Sequence, residues 1–280
     1  MTTGRPQFGI DTAQHQQTWA QLLEHVRFAE DAGFDGIWLF DHFKALYGDP
    51  NGPCLEAWTL LAALAAATTR IRLGPMVTGM TYRHPSMLVM EAVTVDHVSG
   101  GRVELAVGAA WFEQEHRELG FDFPRTRTRA EQLEEGVQIM RLLMTEDGVS
   151  FHGKHFQLNG ATYRPRPVQQ PHPPIWIGAD GEQLMLPIVA RQADVWHSSA
   201  PFDVYRRKSQ LLDRLASEAG REEGSIRRAA SVSLDAEDTE VKRKIEQFLE
   251  IGVSYIYLGW PSAGQRRVEE FARRIMPDYR

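Results

Sequence analysis

Residues 22–42, LLEHVRFAEDAGFDGIWLFDH, join an amphipathic helix to a buried strand through one glycine, and that joint decides the fold. Leu22, Leu23, Val26 and Ala29 fall on one face of a helix expected over 17–32. Gly33 follows, where a left-handed residue costs little, and Gly36-Ile37-Trp38-Leu39-Phe40 is the unbroken apolar run of a strand covered on both faces. The joint recurs. Ala62–Thr69 leads into Ile71-Arg72-Leu73-Gly74, and Glu91–Ser99 passes through Gly100-Gly101 into Val103–Val107. Ile188–Ala193 leads into Asp194–His197. The last copy runs from Asp238 as N-cap through Val241, Ile245, Phe248 and Leu249, past Gly252, into Val253–Leu258. With Phe8–Ile10, Ile175–Ile177 and Ala229–Leu234 there are eight candidate strands separated by helices. Short apolar strands alternating with helices form a parallel sheet, and eight units in 280 residues favour a (β/α)8 TIM barrel. An open doubly wound sheet usually carries Gly-x-Gly-x-x-Gly after its first strand; here Asp11-Thr12-Ala13-Gln14-His15-Gln16 stands there instead.

Residues 1–280 therefore read as one barrel domain with an insertion near its mouth, a hairpin plus Pro-rich excursion at about 149–174. A helix over 128–145, opened by a Thr128…Glu131 capping box, precedes it. Apolar runs flank Gly153, and Pro165, Pro167, Pro171, Pro173 and Pro174 make an extended return; His152, His155 and His172 read as solvated. The net charge of −6 gives no reason to expect nucleic acid, no apolar run is long enough to span a membrane, and a lone Cys54 excludes an intrachain disulfide. A cytoplasmic enzyme acting on a small molecule is the natural expectation.

Barrel enzymes work where strands end C-terminally. The polar and open positions there are Asp41-His42, Glu56 in the next loop, Met76-Val77-Thr78-Gly79, Tyr82-Arg83-His84-Pro85, Gly108-Ala109-Ala110-Trp111, Gly178-Ala179-Asp180-Gly181 and His197. Alone, each has a plain structural reading: a cap, a packed ring, a turn. The glycines of 178–181 before a helix would, however, let backbone N–H groups approach a phosphate. Asp41, His42, Glu56, His84 and His197 lack the close spacing of a preorganised metal site, so no metal is expected. Gly-x-Ser-x-Gly is absent.

In order, Ala32–Trp38, Asp41-His42-Phe43, Ile71–Gly74, Tyr82–Pro85, Asp96–Arg102, Gly108–Trp111 and Pro174–Gly178 make the chain resemble the bacterial luciferase-like barrel oxidoreductases, especially those using the deazaflavin coenzyme F420. The resemblance implies hydride transfer between the deazaflavin and a small organic substrate. It sets Asp41, Met76, Val77, Thr78, Gly108, Ala109, Ala110 and Gly178, Ala179, Asp180, Gly181 against the cofactor, with a non-proline cis bond at Met76–Val77. His42 becomes the proton-transfer residue and Trp111 its catalytic-site neighbour, with Phe43, Glu56, His197 and Trp260 toward the substrate. Trp111 stands where sugar-phosphate dehydrogenases of this branch carry a proton-donating glutamate, so their reaction is not expected. The alternatives are a monooxygenase using reduced FMN, and a barrel that binds a phosphorylated ligand without redox chemistry. A homodimer fits the resemblance, although no exposed stripe in the sequence proves one.

Overall fold

A computed structural model describes residues 4–280. The first half runs β1 (Gln7–Asp11), α1 (Trp19–Asp31), β2 (Gly36–Leu39), α2 (Ala57–Ala67), β3 (Arg72–Pro75), β4 (Thr78–Gly79), α3 (Pro85–Ser99), β5 (Leu105–Gly108), α4 (Glu113–Leu119) and α5 (Thr126–Thr145). The second half runs β6 (Val149–His152), β7 (Gln157–Ala161), β8 (Ile175–Gly178), α6 (Met185–Gln192), β9 (Val195–Ser198), α7 (Phe202–Glu218), β10 (Arg227–Val232), α8 (Asp238–Glu250), β11 (Tyr255–Leu258) and α9 (Gln265–Arg274).

Nine parallel strands lie in the order β3-β2-β1-β11-β10-β9-β8-β5-β4. Its two ends, β3 and β4, are halves of one barrel strand, interrupted at Met76-Val77, whose peptide bond is cis. Leu73 also bridges Val103 just before β5, so the sheet closes on itself with eight strand positions filled. The expected TIM barrel is the fold.

Alternation along the strands sorts side chains into two cores. Outward residues such as Phe8, Ile10, Ile37, Leu39, Val107 and Ile177 pack under the helices. The inward set, Trp38, Ala106, Trp176, Val195, Ala229 and Tyr255, fills the barrel. Trp38 and Tyr255 each meet Trp176 edge-on with ring centroids 4.9 Å apart, and the Trp38 Nε1–H donates to Tyr255 Oη at 2.8 Å. Trp176 Nε1–H donates to Glu104 at 2.6 Å, and Glu104 is paired with Arg72. This aromatic plug fits because facing positions have no side chain. A Cβ on Gly9 would lie 2.0 Å from Tyr255 Oη and 2.4 Å from Trp38 Nε1, and one on Gly74 would lie 2.3 Å from the Glu104 carbonyl.

Three local expectations change. Helix α5 starts at Thr126 behind Arg125, with no side-chain cap, so Thr128 is internal and no Thr128…Glu131 box forms. Glu131 instead takes Lys154 and His155 of the hairpin. Helix α8 is capped at Glu237 without a side-chain bond, and Asp238 pairs with Arg267. His155 and His172 are not solvated: His155 is held by Glu131, and His172 lies between Arg141 and the Pro173 carbonyl. The β6–β7 hairpin flanks the helix ring. Its turn docks on Glu135 of α5 and reaches His84 through Phe156. The proline-rich return, expected near the mouth, passes instead the opposite end of the barrel, where Val168 and Gln169 donate to buried Asp96 and Arg72 donates to Gln169.

The space argument is testable. Gly9→Ala should lower unfolding free energy by roughly 1–3 kcal/mol through overpacking of the plug. Gly259→Ala, whose Cβ would meet nothing within 4 Å, should stay within about 0.5 kcal/mol of wild type. Urea denaturation checks both, and equal effects at the two positions would refute the packing account.

Candidate active site

The C-terminal ends of the barrel strands enclose a cavity of about 490 Å³, lined by residues from β2, β3, β4, β5, β8, β9 and β11 and the segments that follow them. Val77 stands in its floor. A Cβ on Gly108 would come within 2.7 Å of one Val77 methyl, and a Cβ on Gly178 within 2.9 Å of the other. Bare backbone therefore flanks Val77 on both sides, and Met76, Ala109, Ala110 and Trp111 extend an apolar wall. Ala110 has φ +59°, and Trp111 is 66% exposed, stacked on Phe112 with centroids 5.0 Å apart.

His42 follows β2 and is nearly buried, at 8% exposure. Its Nδ1 lies 2.9 Å from Glu115 on α4. The same carboxylate accepts the N–H groups of Phe43 at 2.7 Å and Lys44 at 3.0 Å, and the hydroxyl of Tyr82. Burial alone would push the Glu115 carboxyl up, but bonds from His42, Tyr82 and the Phe43 backbone outweigh it and hold it below the ordinary range. An ionised carboxylate only accepts, so His42 Nδ1 carries the proton and Nε2 is the ring atom left for the cavity. Tyr82 is fixed in turn by stacking on His116, centroids 4.5 Å apart.

At the opposite wall, Gly178, Ala179, Asp180 and Gly181 lead into α6. Asp180 is tied to Ser198 at 2.6 Å and to Lys208 at 2.9 Å, which offsets its charge. His197 reaches the same cavity, with Nε2 2.9 Å from Ser231 Oγ. Burial pushes its imidazole down to about 4, so it is neutral at pH 7.

Of the sequence candidates, His42, Met76, Val77, Gly108, Ala109, Ala110, Trp111, Gly178, Ala179, Asp180, Gly181 and His197 line this one cavity. Five do not. Asp41 is fully buried behind the wall, where Arg83 clamps both its oxygens. Thr78 is also fully buried and accepts from Trp58 Nε1 at 3.0 Å. Glu56 caps α2 and takes a third contact from Arg83 at 2.6 Å. Phe43 packs on Tyr82 and Phe121. Trp260 lines a neighbouring cavity. These residues hold up the wall or lie beyond it; a sequence reading cannot separate them from lining residues, because neighbours in a loop point in opposite directions.

Sequence reasoning missed Tyr82 and Glu115 as individuals. Glu115 lies in the first turn of the seven-residue α4, which is too short and too polar for an apolar period to announce it. Cys54 is excluded as a nucleophile: burial pushes its thiol up to about 12, and it donates to the His42 carbonyl. Among the described residues, no three His, Cys, Asp or Glu side chains are grouped to hold a metal ion, and no helix is long and apolar enough to cross a membrane.

The sequence model of the family described as luciferase-like monooxygenase matches residues 2–276. The chain is 30% identical over 243 residues to the F420-dependent glucose-6-phosphate dehydrogenase of Kineococcus radiotolerans, covering 85% of this chain and 70% of that protein. It is 28% identical over 215 residues to the FMNH2-dependent dimethylsulfone monooxygenase of Pseudomonas putida, covering 77% and 58%. Its fold superposes with a TM-score of 0.88 on an F420-dependent secondary alcohol dehydrogenase solved with an F420-acetone adduct, covering 99% of this chain and 100% of that one at 21% identity.

His197 gives the site a pH signature. In the unfolded chain it protonates near its ordinary 6.5, but in the folded chain only near 4. Between those values the unfolded state binds more protons, so stability falls as pH drops from 6.5 to 4, by at most about 1.4 kcal/mol per unit from this group. His197→Gln removes that slope. Urea unfolding at pH 7, 6 and 5 should show the variant gaining on wild type at each acid step; a gap independent of pH would refute the assignment.

Proposed function

The chain belongs to the luciferase-like monooxygenase family, and from that premise we propose that it is an oxidoreductase dependent on coenzyme F420, moving a hydride between the deazaflavin and a small organic substrate. The observation that carries this reading is the cavity itself. One side is flat and apolar around Val77, with Gly108 and Gly178 offering no side chain. The other is a glycine-containing turn opening into α6, where backbone N–H groups suit a phosphorylated tail. That donor set fits a planar ring with a phosphate beyond it.

When bound, the deazaflavin supplies the hydride-carrying carbon. The chain's own residues do the rest. Met76, Val77 and Ala109 would support the ring, and Trp111 with Ala110 would limit water at the mouth. His42 would give or take the proton at the substrate oxygen through Nε2. Glu115 is its positioning residue: it fixes the Nδ1–H tautomer and balances the positive charge on the ring when Nε2 is protonated. Trp111 has no proton to exchange at neutral pH, which weighs against sugar-phosphate oxidation of the kind its dehydrogenase relative is named for.

Similarity to an FMNH2-dependent monooxygenase supports a second reading, with oxygen as co-substrate. Cofactor titration of the purified protein separates the two. F420 should bind more tightly than FMN; tight FMN binding without F420 binding would overturn the choice. His42→Ala should lower turnover about 100-fold or more while cofactor affinity changes little. Unchanged turnover would remove His42 from the mechanism.

A further inference from the structure

The barrel has a second mouth, where its strands begin, and a cavity of about 690 Å³ opens there. Gln7, Arg72 and Arg227 are the first residues of β1, β3 and β10, and Glu104, Pro174 and Asp194 stand just before β5, β8 and β9. The aromatic plug separates this cavity from the one above: Trp176 donates to Glu104, and the Arg227 guanidinium lies over the Trp176 ring, 5.8 Å from its centroid. We propose that this lower cavity is a phosphate site, holding inorganic phosphate or a phosphate monoester against Arg227. The inference is independent of the redox reading, because none of these residues touches the upper cavity.

Charge selects the ligand class. Three arginines, Arg72, Arg141 and Arg227, line the cavity against two carboxylates, Glu104 and Asp194, which leaves one positive charge over. Both carboxylates are spent. Glu104 takes Arg72 on one oxygen and Trp176 Nε1–H on the other, at 2.6 Å. Asp194 takes Arg141 at 2.8 Å and the Ile175 N–H at 2.9 Å. An ammonium ligand would find no free carboxylate oxygen there.

The three arginines are not equally engaged. Arg72 donates to Glu104, to the Gly101 and Val103 carbonyls and to Gln169, so it is a strut. Arg141 donates to His172, to the Gln192 carbonyl and to Asp194, which leaves its Nε–H and one Nη–H. Arg227 is different. Among the described residues it pairs with no carboxylate, and its one side-chain hydrogen bond is to Gln7 Oε1 at a long 3.4 Å. Four of its five N–H donors are unspent, on a half-buried guanidinium whose position over Trp176 is already set.

A fixed guanidinium fork with free donors matches the oxygens of a phosphate. Arg141 comes from α5 and Arg227 from β10, so their donors approach one point from different sides. That arrangement suits a tetrahedral group better than a planar carboxylate. Ser225 adds a hydroxyl at the exposed rim. The cavity is within the range of small-molecule sites, about 300–1,000 Å³, and leaves room for the carbon skeleton of a monoester.

Full-length protein in phosphate-free, low-salt buffer is titrated calorimetrically with inorganic phosphate, glycerol 3-phosphate, glycerol and succinate. Both phosphates should bind, and glycerol should bind at least about ten-fold more weakly than glycerol 3-phosphate. A tighter hold on glycerol 3-phosphate assigns the site to phosphorylated metabolites, and a tighter hold on inorganic phosphate to the free ion; either supports the proposal. Arg227→Gln should weaken phosphate binding about ten-fold or more. Gln7→Glu, which sets a carboxylate beside Arg227 and keeps the cation over Trp176, should do the same, and decides the matter if Arg227→Gln does not fold. Arg206→Gln, at an exposed arginine of α7, should leave the affinity unchanged. Absence of binding by both phosphates overturns the proposal, as does glycerol or succinate binding as tightly as glycerol 3-phosphate. Phosphate binding that survives both Gln7→Glu and Arg227→Gln belongs to the turn at 178–181 and overturns it too. A parallel F420 titration of Gln7→Glu should match wild type; loss of F420 binding in the variant would refute the independence of the two cavities.

Discussion

Everything at the mouth of the barrel stands on a packing constraint below it. Trp38, Trp176 and Tyr255 are large, fully or nearly fully buried, and hydrogen-bonded to one another or to Glu104. They occupy one level of the barrel only because Gly9, Gly36 and Gly74 face them with no side chain. Large against small is how a closed sheet of eight positions is filled without voids. The plug converts what would be a channel into a floor, and His42, Val77, Gly108, Gly178, His197 and Tyr257 are the level above it.

On that floor two electrostatic arrangements divide the labour. Arg83 forms ion pairs with Asp41, Glu56 and Glu91, joining the start of α2 to α3 behind the cavity wall. Glu115 gathers His42, Tyr82 and two backbone N–H groups on the cavity side. In each, one buried charge is surrounded by opposite charge or donors, which is what makes burial tolerable. Each arrangement draws together segments far apart in sequence.

That distance explains what a sequence reader can and cannot see. The repeated helix–glycine–strand joint made the barrel legible, since period and punctuation are local properties. Val77, Gly108 and Gly178 were legible as strand-end residues for the same reason. Asp41 and Thr78 sit beside cavity residues in the chain yet face away from the cavity, because successive side chains along a strand point to opposite sides. Glu115 was invisible: its role exists only because α4 brings it 2.9 Å from a histidine 73 positions earlier. The loop after β1 read as the absence of a dinucleotide motif.

The residue that orients His42 rides on α4, a helix of seven residues that opens on Phe112 without a side-chain cap. Short helices owe little to their own hydrogen bonds and open at low energy compared with the core. Each opening of α4 would carry Glu115 away and leave His42 free to rotate, while the barrel beneath stayed intact. How long His42 stays oriented is then set by the local stability of one helical segment and not by that of the barrel.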